Sequence, residues 1–222
     1  MKKKILAGVL ACILLVGVGV GGTLAWLTAT TKQVANTFTY GDINIKLDES
    51  ELQADGTLKT ETRVQANTFK LIPGETTDKD PLVTIEAGSE KCWLFVKVEK
   101  SANYDAFMAT PAMADGWVAL DATKYPGVYY YKTVIDATQA VQTKYVLKGG
   151  TNDHGAVTVL GTVTKESVDA LEEGIANKTA TAPTLTFTAA AIQSEYLKDG
   201  ETAVTDAAGA AKFLPKGFLP TT

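Results

Sequence analysis

The chain reads as all-β, a jelly-roll-like sandwich of two sheets with one or two short helices, and three observations predict it. Apolar residues recur with a period of two over most of the length, Thr and Val are abundant throughout, and turn residues separate the runs. Parallel βαβ units would need a helix between most strands, and the sequence has no room for them. Antiparallel sheets packed face to face are therefore the expected architecture.

The elements follow in order. The first strand is expected over Phe38 to Leu47, where Ile43, Ile45 and Leu47 alternate, and the next runs predict strands over Arg63 to Leu71 and Leu82 to Glu86. Cys92 to Glu99 is the most regular. Cys92, Leu94, Val96 and Val98 share one face, and Trp93, Phe95, Lys97 and Glu99 share the other. Ser101 to Leu120 carries Tyr104, Phe107, Met108 and Trp117, too long and apolar for a hairpin loop, so it is expected to fold over one end of the sandwich with a helical turn. Gly127 to Ile135, Thr143 to Leu147 and Ala156 to Val163 read as further strands. Thr164 to Gly174 reads as a short helix, with a Thr able to cap, acids near the start, Val168 and Leu171 three apart, and a terminal Gly. Pro183 to Ile192 is the last expected strand, followed by a tail with low-complexity character near Ala207 to Ala211.

The N-terminus has a separate job. Lys2-Lys3-Lys4, an apolar run from Ile5 to Val20, and Gly21-Gly22-Thr23-Leu24-Ala25-Trp26 have the layout of a secretory signal peptide. Thr23 and Ala25 put small side chains where a signal peptidase needs them, so cleavage is expected between Ala25 and Trp26, with Ala29 as the second choice. The alternative is an uncleaved membrane anchor, since the apolar stretch counted through Leu27 is long enough to cross a bilayer. In either case the remainder is expected to be extracellular, meeting a membrane only through that segment. The division expected is thus 1–25 signal peptide, 26–40 N-terminal strand segment, and 41–222 sandwich domain.

Losing residues 1–25 removes three lysines and no acid, moving the formal charge from −4 to −7 and leaving 197 residues. Such a balance argues against nucleic acid, whose phosphates must be neutralised by Lys and Arg. Cys92 is then the only cysteine and is expected to be a buried small hydrophobe. His154 is the only histidine and sits among Gly, Asn and Asp of a turn, which leaves no Ser-His-Asp system and no His-Glu-x-x-His zinc site. Oxygen donors at Asp48, Glu49, Glu51 and Asp55, at Asp78 and Asp80, and at Asn152 and Asp153 are partial calcium shells without EF-hand spacing, read here as solvated loops. No catalytic, cofactor or metal residue is assigned, and no enzyme activity is expected.

Three stretches carry a family resemblance. Gly21 to Thr28 followed by Asn36-Thr37-Phe38-Thr39 and Gly41, Leu71-Ile72-Pro73-Gly74-Glu75 with Lys79-Asp80-Pro81, and Leu185 to Gln193 resemble the TasA/camelysin family of exported Gram-positive proteins. The resemblance implies a jelly roll, processing by a dedicated SipW-type signal peptidase, and a role as subunit of biofilm-matrix fibres. Subunits of that family join copies of themselves or related subunits by donor-strand exchange. It also brings the metalloprotease activity described for camelysin, which the missing zinc motif puts in doubt.

The residues between Ala25 and Gly41 suit a donor strand. Trp26, Val34, Phe38 and Tyr40 are apolar at even spacing in a Thr-rich, Pro-free segment able to add to an open sheet edge. The plainer reading makes this segment the first strand of its own sheet. A surface adhesin or carbohydrate binder is the other functional class, and it would use exposed rings such as Trp93, Phe95, Tyr129 and Tyr131.

Overall fold

A computed structural model describes residues 42–220, and within them the chain is mostly strand. Two four-stranded antiparallel sheets form the body. The first pairs β1 (Ile45–Leu52) with β2 (Leu58–Val64) on one side and β4 (Leu82–Ile85) on the other, and β8 (Gln142–Tyr145) follows β4. The second has the order β10 (Leu185–Gln193), β5 (Cys92–Lys100), β7 (Val128–Tyr131), β6 (Trp117–Ala119). A short ladder pairs β3 (Thr76–Asp78) with β9 (Ala156–Thr158). The all-β sandwich reading holds, and the helices are few and short.

Alternation builds the core. Cys92, Leu94 and Val96 of β5 point inward and are fully buried against Val83 and Ile85 of β4, with Ile45 and Leu47 of β1 and Tyr129 and Tyr131 of β7 packed around them. Burying several such side chains, each worth about 1.5–3 kcal/mol, is the main force joining the sheets. Cys92 is wholly buried as expected, and loss of hydration pushes its thiol up to about 11.

The opposite face of the second sheet is covered by the chain's own C-terminal segment. Here β11 (Lys198–Asp199) and β12 (Thr202–Ala203) form a small hairpin, and α3 (Ala207–Ala210) continues into a 3₁₀ turn over Ala211–Phe213. Ala207, Ala210, Ala211 and Phe218 pack onto Phe95, Val128 and Ala190. The Ala-rich stretch that reads as low-complexity tail is therefore a packed cover, because small side chains let a helix sit close against a sheet. Phe95 is fully buried under it and Trp93 partly, while Tyr129 and Tyr131 face the central core. The rings singled out for a carbohydrate site do not form an exposed stacking surface.

Other expectations need adjustment. The strand expected over Arg63 to Leu71 is displaced: pairing runs from Leu58 to Val64 and stops, with a register shift between Ser50 and Glu51. The strands expected at Gly127 to Ile135 and Ala156 to Val163 shrink to their central residues, and β3 and β6 are too short to show as alternation. The segment after β5 does fold over one end, through α1 (Tyr104–Phe107), whose Tyr104 packs with Met108, Val157, Val159 and Val163. The helix expected at Thr164 is α2 (Lys165–Ala176), capped by Thr164, whose hydroxyl accepts from Ser167 N–H while Ser167 Oγ accepts from Thr164 N–H. His154 is half-buried, stacked on Tyr145 with ring centroids 3.9 Å apart.

Candidate functional site: an open apolar groove

The sandwich has two sides, and they end differently. Beyond β8, residues 112–114 pair with residues 146–148, and Trp117 Nε1 donates to the Tyr145 carbonyl at 2.8 Å, tying the β6 edge to the β8 edge. On the other side β1 and β10 face each other across a cavity of about 850 Å³. β10 has no strand partner beyond it among the described residues, and its first three residues, Leu185, Thr186 and Phe187, line the cavity.

The groove exists because the chain after Val64 leaves the sheet. Asn67 fastens the departing chain to β1 with its side chain: its Oδ1 accepts from Leu52 N–H and its Nδ2 donates to the Ser50 carbonyl, both at 2.8 Å. Gln65 Nε2 similarly donates to the Leu47 carbonyl at 3.2 Å. Gln65 thus satisfies a β1 carbonyl that a continuing strand would have faced, while Asn67 ties the departing chain back to β1. The freed segment forms a lip, and it turns Phe69 and Leu71 into the groove.

Apolar side chains make up much of the remaining walls, interspersed with polar ones such as Asp48, Thr68, Lys70 and Glu172. Leu185 and Phe187 come from β10, Leu47 from β1, and Val168, Leu171 and Ile175 from one stripe of α2. Ile175 is still 41% exposed, so the helix stripe is incompletely covered.

One ion pair sits in this apolar setting. Lys79 Nζ and Glu49 are hydrogen-bonded, and each side chain is only 8% exposed. The Phe69 and Phe187 rings lie 5.0 and 5.7 Å from the ammonium, close enough for cation–π attraction. Lys79 is held by its N–H donating to the Gly155 carbonyl at 3.0 Å. Gly155 has φ +135°, and any Cβ there would run into the Lys79 carbonyl oxygen, so only glycine lets the two backbones approach.

The carboxylates suggested as calcium shells are otherwise engaged. Asp80 accepts from Ser50 N–H and Oγ at 2.7 Å each and from Arg63 Nη1 at 2.9 Å, while Asp48 accepts from Arg63 Nε at 2.7 Å. Asp78 accepts from Thr151 N–H at 2.9 Å and Asp153 from Gly149 N–H at 2.7 Å, both closing turns. Among the described residues no group of three His, Cys, Asp or Glu side chains is placed to hold a metal ion.

The residues assigned from sequence to cleavage and assembly, Thr23, Ala25, Trp26, Val34, Phe38 and Tyr40, lie outside the described residues. The groove itself has no signature in the alternation pattern. Its one sequence trace is Asn67 in the middle of an otherwise strand-like run. No family model matches this chain, and neither a curated protein nor a solved structure matches it.

Proposed function

We propose that this chain is a secreted structural subunit of extracellular or biofilm-matrix fibres, assembling by donor-strand exchange and lacking enzymatic activity. The observation that supports the reading is the largely apolar groove between β1 and β10, bounded by a strand without an outer partner among the described residues. An open edge invites a further strand, whose backbone supplies hydrogen bonds and whose alternate side chains fill pockets.

The occupant is the 26–40 segment of the next subunit, offering Trp26, Val34, Phe38 and Tyr40. Each of the first three is worth about 1.5–3 kcal/mol when fully removed from water. A groove on one copy and a strand on another make a heterologous contact that does not close on itself, and its repetition makes a filament. Export through the signal peptide, with processing ahead of Trp26, frees that segment.

The test compares the chain starting at Trp26 with the chain starting at Gly41 by electron microscopy and sedimentation. The longer chain is expected to form filaments and the shorter to stay monomeric. Phe38→Asp should weaken assembly by carrying an unpaired charge into an apolar site. A longer chain that stays a monodisperse monomer at high concentration would overturn the proposal.

A further inference from the structure

A buried ion pair in an apolar groove calls for an explanation that stability does not provide. Withdrawing two charges from water is costly, and well-packed apolar side chains of similar volume often serve folding as well or better. What such a pair does supply is directional hydrogen bonding. Lys79 offers three N–H donors and spends one on Glu49 Oε2; among the described residues neither its other donors nor Glu49 Oε1 has a partner. A donor and an acceptor are thus held side by side in a greasy trough.

The segment expected to fill that trough carries the complementary group. In extended conformation the even-numbered residues share a face, so Val34, Asn36, Phe38 and Tyr40 point the same way. Asn36 is the one amide on that face, set between two apolar neighbours, with Thr28, Thr30 and Lys32 further back along it. Buried against Phe69, Phe187 or Leu185 its amide would be desolvated without compensation. Opposite the ion pair it is matched, with its carbonyl oxygen accepting from Lys79 and its amide N–H donating to Glu49 Oε1.

We infer that the Lys79–Glu49 pair is the register lock of the groove, and that it receives the Asn36 amide from the 26–40 segment of a second copy of this chain. The inference rests on the donor-strand reading and adds the contact that sets its alignment. A period-two strand can slip by two residues and still present apolar side chains, so pattern alone does not define one register. A single buried amide does, because every other register leaves it unpaired.

A second copy, rather than the chain's own segment, is the occupant. Glu86 N–H donates to the Asn44 carbonyl and Glu90 N–H to the Asp42 carbonyl, so the described chain begins beside the 86–90 turn. That is seven residues before Glu49, about 23 Å along an extended strand. The preceding residues of the same copy would have to reverse and run back the length of β1 to reach the pair.

The experiment is a coupling measurement on the chain starting at Trp26. Asn36→Val alone, and Lys79→Met with Glu49→Leu, should each raise the concentration needed for filament formation at least tenfold. The three substitutions together should return it to within about threefold of the unsubstituted chain, because an apolar residue then meets an apolar floor. Thermal melts of each variant check that it folds. A second measurement needs no substituted protein: a synthetic peptide of residues 26–40 should block assembly of the unsubstituted chain at least tenfold better than the same peptide with Asn36→Val.

Losses that simply add, or peptides that compete equally, would overturn the register lock while leaving donor-strand assembly standing. An unsubstituted chain that never assembles would overturn both. A monomer whose own 26–40 segment is protected from proteolysis in an Asn36-dependent way would overturn the assignment to a second copy.

Discussion

The two sides of this sandwich solve the same problem in opposite ways. At the β6/β8 side the chain crosses from one sheet to the other, residues 112–114 extend the β8 edge, and the Trp117 indole bonds across the gap to Tyr145. At the β1/β10 side the chain after Val64 steps out of the sheet, side-chain amides fasten it to β1, and a cavity of about 850 Å³ lies between β1, β10, this segment and α2. The same molecule folds its own C-terminal segment over the outer face of the second sheet. The described residues close one side and one face but leave a largely apolar groove on the other side, so that groove is built differently from the core.

The comparison can be broken most sharply at the rings. Trp117→Ala on the closed side should cost about 3–5 kcal/mol in denaturant unfolding, since it opens a cavity and removes the bond that joins the edges. Phe69→Ala, at the half-buried groove lip, should cost no more than about half of that. Equal losses would mean that the groove is as much a core as the closed side.

A smaller effect sharpens the account of why the groove exists. Asn67→Ala should cost about 1–2 kcal/mol, because it leaves Leu52 N–H and the Ser50 carbonyl without their partner. Hydrogen exchange should rise at those amides and along the lip while the β4 and β5 amides stay protected. Uniform loss of protection would show that Asn67 holds the whole sandwich rather than the lip.

The least disturbance is expected at Cys92. Its thiol lies between the sheets, pushed from an ordinary value of 9.0 up to about 11 by burial. Native protein at pH 8 should resist alkylation, and mass spectrometry should find the adduct only after unfolding. The sign of the linkage follows: the stability tied to keeping this thiol protonated is complete below about pH 9 and is lost as pH rises toward 11. Rapid modification of the folded chain would mean that the interior opens far more readily than its packing implies.

Much of this architecture is legible from alternation. Cys92 to Val98 reads as a strand with one face bound for the core, and that face is the centre of the sandwich, because period-two burial is a local property of strands. Thr164 with its acids and apolar spacing reads as a capped helix start, again because the cap is decided within one turn. The run from Arg63 to Leu71 misleads for the complementary reason. Its residues look equally able to pair, and nothing local says that the ladder will stop at Val64 or that Asn67 will spend its amide on β1.

The fold class, the buried thiol and the helix start were legible in spacing and side-chain chemistry over a few residues. The cover that the Ala-rich tail makes over Phe95, and the meeting of Glu49 with Lys79 near two phenylalanine rings, one of them from β10, emerge only in three dimensions. Those depend on which strands become neighbours and which edges are left over. Pairing across 30 or more residues is set by the global competition among edges for backbone partners, and a local pattern carries no record of its outcome.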